Sequence, residues 1–147
     1  MTTSFSIKNT PFASLDMQGA DIAPLSPIDF LQRAAHVFGD KTAIIYEDWR
    51  LDYRTLDQRC RQLASALQRA GIAPGQTVSV ICPNVPEMIE LHFAVPMTGA
   101  VLNTINTRLD AKLIARILDH GEAQLLFVDR DSRDVVDAAL SVIDREI

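Results

Sequence analysis

Apolar residues recur along this chain with two periods, and the switches between them mark out its elements. Residues 1–25 are polar and aperiodic, with Pro11, Gly19 and Pro24, and read as an extended arm. Ser26 as N-cap and Pro27 in the first turn then open a helix through Phe38, with Ile28, Leu31, Ala35 and Phe38 on one face and Gly39 as its stop. Thr42–Tyr46 and Trp49–Tyr53 read as two strands about a Glu47-Asp48 turn. In the second, Trp49, Leu51 and Tyr53 alternate with Arg50 and Asp52, the period of a half-buried strand. Thr55 and Gln58 have capping-box spacing. The helix they would open carries Leu56, Cys60, Leu63, Leu67 and Ala70 on one stripe and stops at Gly71.

From there the pattern becomes strand then helix, three times over. Val78–Cys82 is a strand, and Asn84 with Glu87 is expected to cap a helix reaching Thr98. Ala100–Asn103 is a short strand, and Asp110 caps a helix ending before Gly121. Leu125–Asp129 is a strand, and Ser132 opens a last helix with Val135, Val136, Ala139, Leu140 and Ile143 on one face. Consecutive βα units imply parallel strands joined by right-handed crossovers, with helices on both faces. The fold class is therefore α/β, with an N-terminal helix and β-hairpin preceding the parallel units. The helix over 86–98 is apolar nearly all round and is expected deep between layers, with Pro96 kinking it or ending it early.

Composition removes several classes. With 147 residues, 48% apolar and 22% charged, the chain has enough apolar surface for a core and is not a disordered tail. A net charge of −5 leaves no electrostatic footprint for nucleic acid or an anionic membrane. No 18-residue stretch lacks a charge, so no membrane span is expected. Cys60 and Cys82 lack CxxC spacing and stand at apolar positions, so they read as small core side chains. The first 25 residues resemble neither a secretory signal nor a transit peptide, and the ending Arg145-Glu146-Ile147 is no peroxisomal address, so a reducing cytoplasmic setting is expected.

Candidate chemistry is sparse. Ligands of doubly wound sheets bind beyond the strands' carboxyl ends. Here those ends are Cys82-Pro83-Asn84, Asn103 to Arg108 and Asp129-Arg130-Asp131, and none contains the glycine that a phosphate-cradling turn needs. Neither GxGxxG nor GxxxxGK[ST] occurs, and the only lysines are Lys8, Lys41 and Lys112. Asp129 and Asp131, with Asp48 as a distant helper, have the chemistry of a Mg²⁺-dependent phosphoacceptor. The simpler reading makes Asp131 and Ser132 the start of a helix and Asp129 a cap. His36, His92 and His120 fall on three different helices. His92 reads as a hydrogen-bonded core histidine, and His120 suits the dipole at a helix C-terminus. Asn103-Thr104-Ile105-Asn106-Thr107-Arg108 is a polar strand-end loop whose side chains either bind something or lock the loop to its own backbone. The run from Asp129 to Asp137 reads as a solvated helix start.

Several stretches resemble a known family. They are Gly39-Asp40-Lys41-Thr42-Ala43-Ile44, Leu51-Asp52-Tyr53-Arg54-Thr55-Leu56, the run from Leu67 through Ala70-Gly71-Ile72 to Pro74-Gly75-Gln76-Thr77-Val78, and Pro83-Asn84 with Pro86-Glu87. The fullest is His92 to Leu109, which includes Val95-Pro96-Met97-Thr98-Gly99-Ala100. Together with Pro24-Leu25-Ser26-Pro27, these resemble the N-terminal part of adenylate-forming, AMP-binding acyl-CoA synthetases of the fatty acyl-activating branch. The likeness runs nearly continuously over residues 24–129. Asp52 departs from it where Thr is usual, as does the glycine-free turn Glu47-Asp48.

The resemblance implies activation of a short- or medium-chain carboxylic acid by ATP, giving an acyl-adenylate and pyrophosphate. CoA then displaces AMP. It also implies that residues 26–147 are an incomplete portion of the synthetase domain. The family's phosphate loop, its Thr-Glu pair for Mg²⁺, its ribose-binding Asp and its C-terminal lysine have no counterpart here. No catalytic, cofactor-binding or metal residue is carried over, and ATP, Mg²⁺ and CoA belong to the complete enzyme alone. The expectation is a fragment inactive by itself that self-associates through uncovered core surface. Its rivals are a stand-alone α/β binding or complementation module and the phosphoacceptor built on Asp129.

Overall fold

A computed structural model describes residues 26–143 and residue 147 of the chain; the expected arm over 1–25 lies outside the described residues. The first element, α1 (Pro27–Val37), starts with a reciprocal cap. The Asp29 amide donates to Ser26 Oγ at 3.3 Å, and the Ser26 amide donates to Asp29 Oδ2 at 3.2 Å, so two otherwise free N–H groups are satisfied. Strands β1 (Thr42–Tyr46) and β2 (Trp49–Asp52) pair antiparallel, with Tyr46 opposite Trp49. The turn between them requires a left-handed residue, and Glu47 takes it at φ 51° where glycine would be unstrained.

Asp52 ends β2 and begins the next helix, α2 (Tyr53–Arg69). Its Oδ1 accepts the Thr55 amide at 2.7 Å, so Asp52 is the cap and the expected Thr55–Gln58 box is not used. The helix starts three residues earlier than expected and takes Tyr53 with it. It buries Leu56, Cys60, Ala64 and Leu67, with Leu63 partly covered and Ala70 left outside as the C-cap. Gly71 stops it at φ 90°, a conformation that disfavours any side chain.

Three βα units follow: β3 (Thr77–Ile81), α3 (Pro86–Met97), β4 (Val101–Thr104), α4 (Ala111–His120), β5 (Ala123–Val128) and α5 (Arg133–Leu140). Their strands form one parallel sheet in the order β4-β3-β5. On one face, Val78 and Val80 pack with Leu67, Ile72, Leu91 and Val95 of the α2–α3 side. On the other, Ile81 packs with Ile114, Leu118, Val136 and Ala139 of α4 and α5. A third cluster, Leu31, Ile44, Leu51, Leu56 and Cys60, joins α1 and the hairpin to α2. The α/β architecture with helices on both faces is therefore as the periodicity requires. Ser79 is fully buried in the sheet opposite Asn103, whose Nδ2 donates to Ser79 Oγ at 3.0 Å. This polar pair favours one β3–β4 register, because a slip of one residue would separate the partners.

Several local expectations change. Val85, not Asn84, precedes α3 as its N-cap and makes no side-chain cap bond; Pro86 at the first helical position already lacks the N–H that needs capping. Pro96 stands in the last turn and the helix ends one residue later, so it terminates α3 without kinking its middle. The helix is also not sunk between layers: Glu90, Leu91, Ala94 and Val95 are buried, but Ile89 and His92 are exposed. A 3-10 turn over Arg130–Ser132, capped by Asp129, precedes α5, and Ser132 makes no cap bond there.

The Asp52 cap predicts a pH dependence. The Thr55 amide, followed by the Thr55 hydroxyl, holds the Asp52 carboxyl below its usual 3.8. A lowered folded-state value contributes stability above the unfolded value and loses it as pH falls through the folded one. Asp52→Ala should therefore lower the urea midpoint at pH 7, with the difference from the parent closing in strong acid. Asp52→Thr should keep much of the neutral-pH stability. Parallel curves for parent and Asp52→Ala from pH 7 to pH 2 would show that the carboxylate cap contributes nothing.

Candidate functional site

The carboxyl ends of the strands converge as the fold requires. The Ile105 amide donates to the Val80 carbonyl at 2.9 Å, and the Asp129 amide to the Ile81 carbonyl at 2.8 Å, carrying the ladder just past the strand ends. Beside them lies a cleft of about 330 Å³ lined by Cys82, Val85, Glu87, Leu91, Phe127 and Asp129, together with Val80 and Val128. Its only ionisable walls are two carboxylates and a thiol. Burial, then the charges of Asp129 and Glu87, push the Cys82 thiol up, which favours its protonated form. No lysine or arginine lines the cleft. A site for triphosphate needs cationic groups or a nest of backbone N–H groups. This cleft opposes an anion.

The sequence's other candidates are not assembled into a site. Asp129 accepts the Asp131 amide at 3.0 Å as a cap, and Asp48 lies in the hairpin turn of the other sheet. Among the described residues no three His, Cys, Asp or Glu side chains are grouped to hold a metal ion. His36, His92 and His120 sit exposed on α1, α3 and α4. His92 is thus not a core residue; its Nδ1 lies 2.7 Å from the Met88 carbonyl one turn back on its own helix. The Asn103–Arg108 loop locks itself: Asn103 is held by Ser79, Asn106 Oδ1 accepts the Arg108 amide at 2.9 Å, and Ile105 is buried. The charged run through α5 is solvated, with Arg133 and Asp137 3.6 Å apart on its surface.

The strongest polar constellation escaped sequence reasoning. Glu90 is 5% exposed on α3 and accepts Arg59 Nε at 2.5 Å and Arg59 Nη2 at 3.3 Å. The guanidinium of Arg59 also lies over the Trp49 ring, 5.5 Å from its centroid. One side chain from each of β2, α2 and α3 thus meets at a point. The available signal was Glu90 itself, an acid inside the most apolar run of the chain. Beside the pair, burial and then the Glu90 and Asp57 charges push the Cys60 thiol to about 12, which leaves it a small inert core side chain. The arrangement clamps elements together; it faces no substrate-sized cleft in the lining of the strand-end site.

The family model of the AMP-binding enzyme matches residues 31–146. The chain is 46% identical over 127 residues to a 2-methylpropanoate–CoA ligase of Humulus lupulus, covering 86% of this chain and 23% of that protein. It is 50% identical over 125 residues to a peroxisomal trans-cinnamate:CoA ligase of Petunia hybrida, covering 85% and 22%. It is 48% identical over 124 residues to a peroxisomal butyrate–CoA ligase of Arabidopsis thaliana, covering 84% and 22%. Among solved structures, a long-chain-fatty-acid CoA ligase described as putative, from Rhodopseudomonas palustris, superposes with TM-score 0.77 at 36% identity, covering 81% of this chain and 30% of that one. The N-terminal domain of FACL13 from Mycobacterium tuberculosis superposes with TM-score 0.75 at 28% identity, covering 80% and 30%.

The chain belongs to the AMP-binding enzyme family of adenylate-forming proteins. It has the fold of the N-terminal part of these acyl-CoA ligases. It spans less than a quarter of the length of the three curated relatives above.

The Arg59–Glu90 clamp gives a second prediction. Removing one partner leaves a buried charge uncompensated, which costs several kcal/mol when both are buried; with Arg59 39% exposed, the cost of Arg59→Ala should be about 2 kcal/mol. Glu90→Gln keeps hydrogen-bonding atoms in place and should cost less. Trp49 is the only tryptophan, so its fluorescence should change with Arg59→Ala. Urea melts followed at Trp49 measure both effects, and an Arg59→Ala midpoint equal to the parent's would refute the clamp.

Proposed function

We propose that this chain supplies the first structural unit of an ATP-dependent acid–CoA ligase. In that reaction a carboxylate oxygen attacks the α-phosphate of ATP, pyrophosphate leaves, and a CoA thiolate then displaces AMP from the acyl-adenylate. The observation that carries the reading is the family match over residues 31–146, joined to 46–50% identity with three CoA ligases. Two of those relatives are named for 2-methylpropanoate and butyrate, which favours short branched or linear fatty acids over long ones. In this reading ATP and CoA are substrates of the complete enzyme and Mg²⁺ its ion, and no step is assigned to a side chain of this chain.

In this reading the chain by itself is catalytically silent and its role is architectural. A reducing cytoplasmic setting goes with it, and the free thiols of Cys60 and Cys82 are compatible with that setting. No described helix is long and apolar enough to cross a membrane. The rival reading, an α/β binding or complementation module without catalysis, makes the same prediction for the chain alone and differs for any longer protein that contains it.

Carboxylate-dependent ATP–pyrophosphate exchange, measured over acids of two to ten carbons, separates the readings. The 147-residue chain should give no exchange above a protein-free control. A longer protein carrying this segment should exchange with short-chain acids and release acyl-CoA when CoA is added. Exchange by the chain alone would overturn its silence, and none by the longer protein would overturn the ligase reading.

The same reading makes the chain a self-associating one. The outer edges of β4 and β5 have no strand partner among the described residues, and unpaired edges template association between copies. Light scattering should show the mean mass of the purified chain rising with concentration. A monodisperse monomer with one cooperative melting transition at every concentration would count against it.

A further inference from the structure

A groove of about 830 Å³ lies where α1, the hairpin and α3 meet, and it shares no residue with the strand-end cleft. Its walls include Phe30, Phe38, Tyr53, Ile89 and Phe93, and their only charged side chain is Arg33. Phe30, Phe38 and Ile89 are exposed there, Phe30 at 57%. The tip of the hairpin stands beside this groove. Ile44 belongs to the groove wall, whereas Ile45, one residue on, is 61% exposed. Tyr46 and Trp49 pair across the strands and are exposed as well, and the turn they flank is the exposed Glu47-Asp48. One flank thus carries both an apolar hollow with a cation in its wall and an aromatic point with two carboxylates on it.

We infer that two copies of this chain associate about a two-fold axis on this flank, the hairpin tip of each seated in the groove of the other. Such an arrangement is reciprocal, so one surface meets its own copy and the contact closes at a dimer. A tip does not serve its own groove. Ile44 lies in the wall, and the turn stands three residues farther along an extended strand, about 10 Å away.

Charge and area both favour a second copy as the occupant. Seating the tip brings Glu47 and Asp48 toward a wall whose one charge is the opposite one, on Arg33. The strand-end cleft has the wrong sign for the same tip, since Glu87 and Asp129 line it. An aromatic side chain buries roughly 200 Å² when fully covered. Phe30, Phe38, Ile45, Tyr46, Trp49 and Ile89 are each about half exposed and together offer about 600 Å² per copy. A stable interface takes about 600–1,000 Å² from each partner. The flank alone reaches that range, so this dimer needs neither the edge of β4 nor that of β5, and it does not rest on the ligase reading.

The test uses the 147-residue chain with p-benzoylphenylalanine at the exposed position Phe30. Irradiation should join two chains, with the product mapped to residues 45–49 of the second and its yield rising with concentration. Trp49 is the only tryptophan, so its emission should shift to the blue over the same concentrations at which the mass passes from one chain to two. Asp48→Arg should weaken the dimer about tenfold by placing like charges together, and Arg33→Asp added to it should restore most of the loss. Products within one chain, products joined elsewhere in the second chain, or a double variant no tighter than Asp48→Arg would each overturn the inference. A mass that rises while Trp49 emission stays fixed would also overturn it, and would leave association at the strand edges standing.

Discussion

The burial of β3 is the constraint on which the rest of this structure depends. Val78, Ser79, Val80 and Ile81 are fully buried, so this strand has no face that water can reach. A parallel strand in that position needs a strand on each side and a helix layer above and below. β4 and β5 supply the sides, α2 and α3 one layer, α4 and α5 the other. The hairpin and α1 do not touch this requirement. They are attached to α2 through a separate cluster around Leu56 and Cys60 and through the Arg59–Glu90 pair under Trp49.

That division explains which features were legible in the sequence. The three βα units announce themselves because each strand is a short β-branched or apolar run, and α4 also shows its cap at Asp110, whose Oδ1 accepts the Leu113 amide. Strand β1 falls on Thr42–Tyr46 as expected, since turn residues bound it on both sides. The family resemblance was legible for a different reason. It rests on runs such as His92–Leu109, whose likeness to known ligases needs no geometry at all, and the family match over 31–146 bears it out.

What was not legible depends on partners distant in sequence or on competition between neighbours. Asp52 and Thr55 both have capping spacing, and only the end of β2 at Asp52 decides between them. The alternation of Trp49, Leu51 and Tyr53 suggested one buried face, yet only Leu51 is buried, because the hairpin meets α1 and α2 over a narrow strip. Helix α3 is apolar on every side, so no periodicity could say which side faces inward. It is Glu90, paired with Arg59 31 residues earlier, that turns inward with Leu91 and Ala94, and His92 is left outside.

Charge decides what the carboxyl edge of this sheet favours. An enzyme that handles ATP and CoA must gather phosphate groups, and phosphates need donors and positive charge at the carboxyl edge of the sheet. Here that edge presents Glu87 and Asp129 beside a protonated thiol, with no basic residue in its wall. The basic residues instead serve the scaffold: Arg59 holds Glu90, Arg61 lies 2.7 Å from Asp57, and Lys41 stands over the Phe38 ring. A phosphate group at this edge would need positive charge from elements other than those lining the cleft. The acidic wall of this cleft disfavours an anion placed against it by like-charge repulsion.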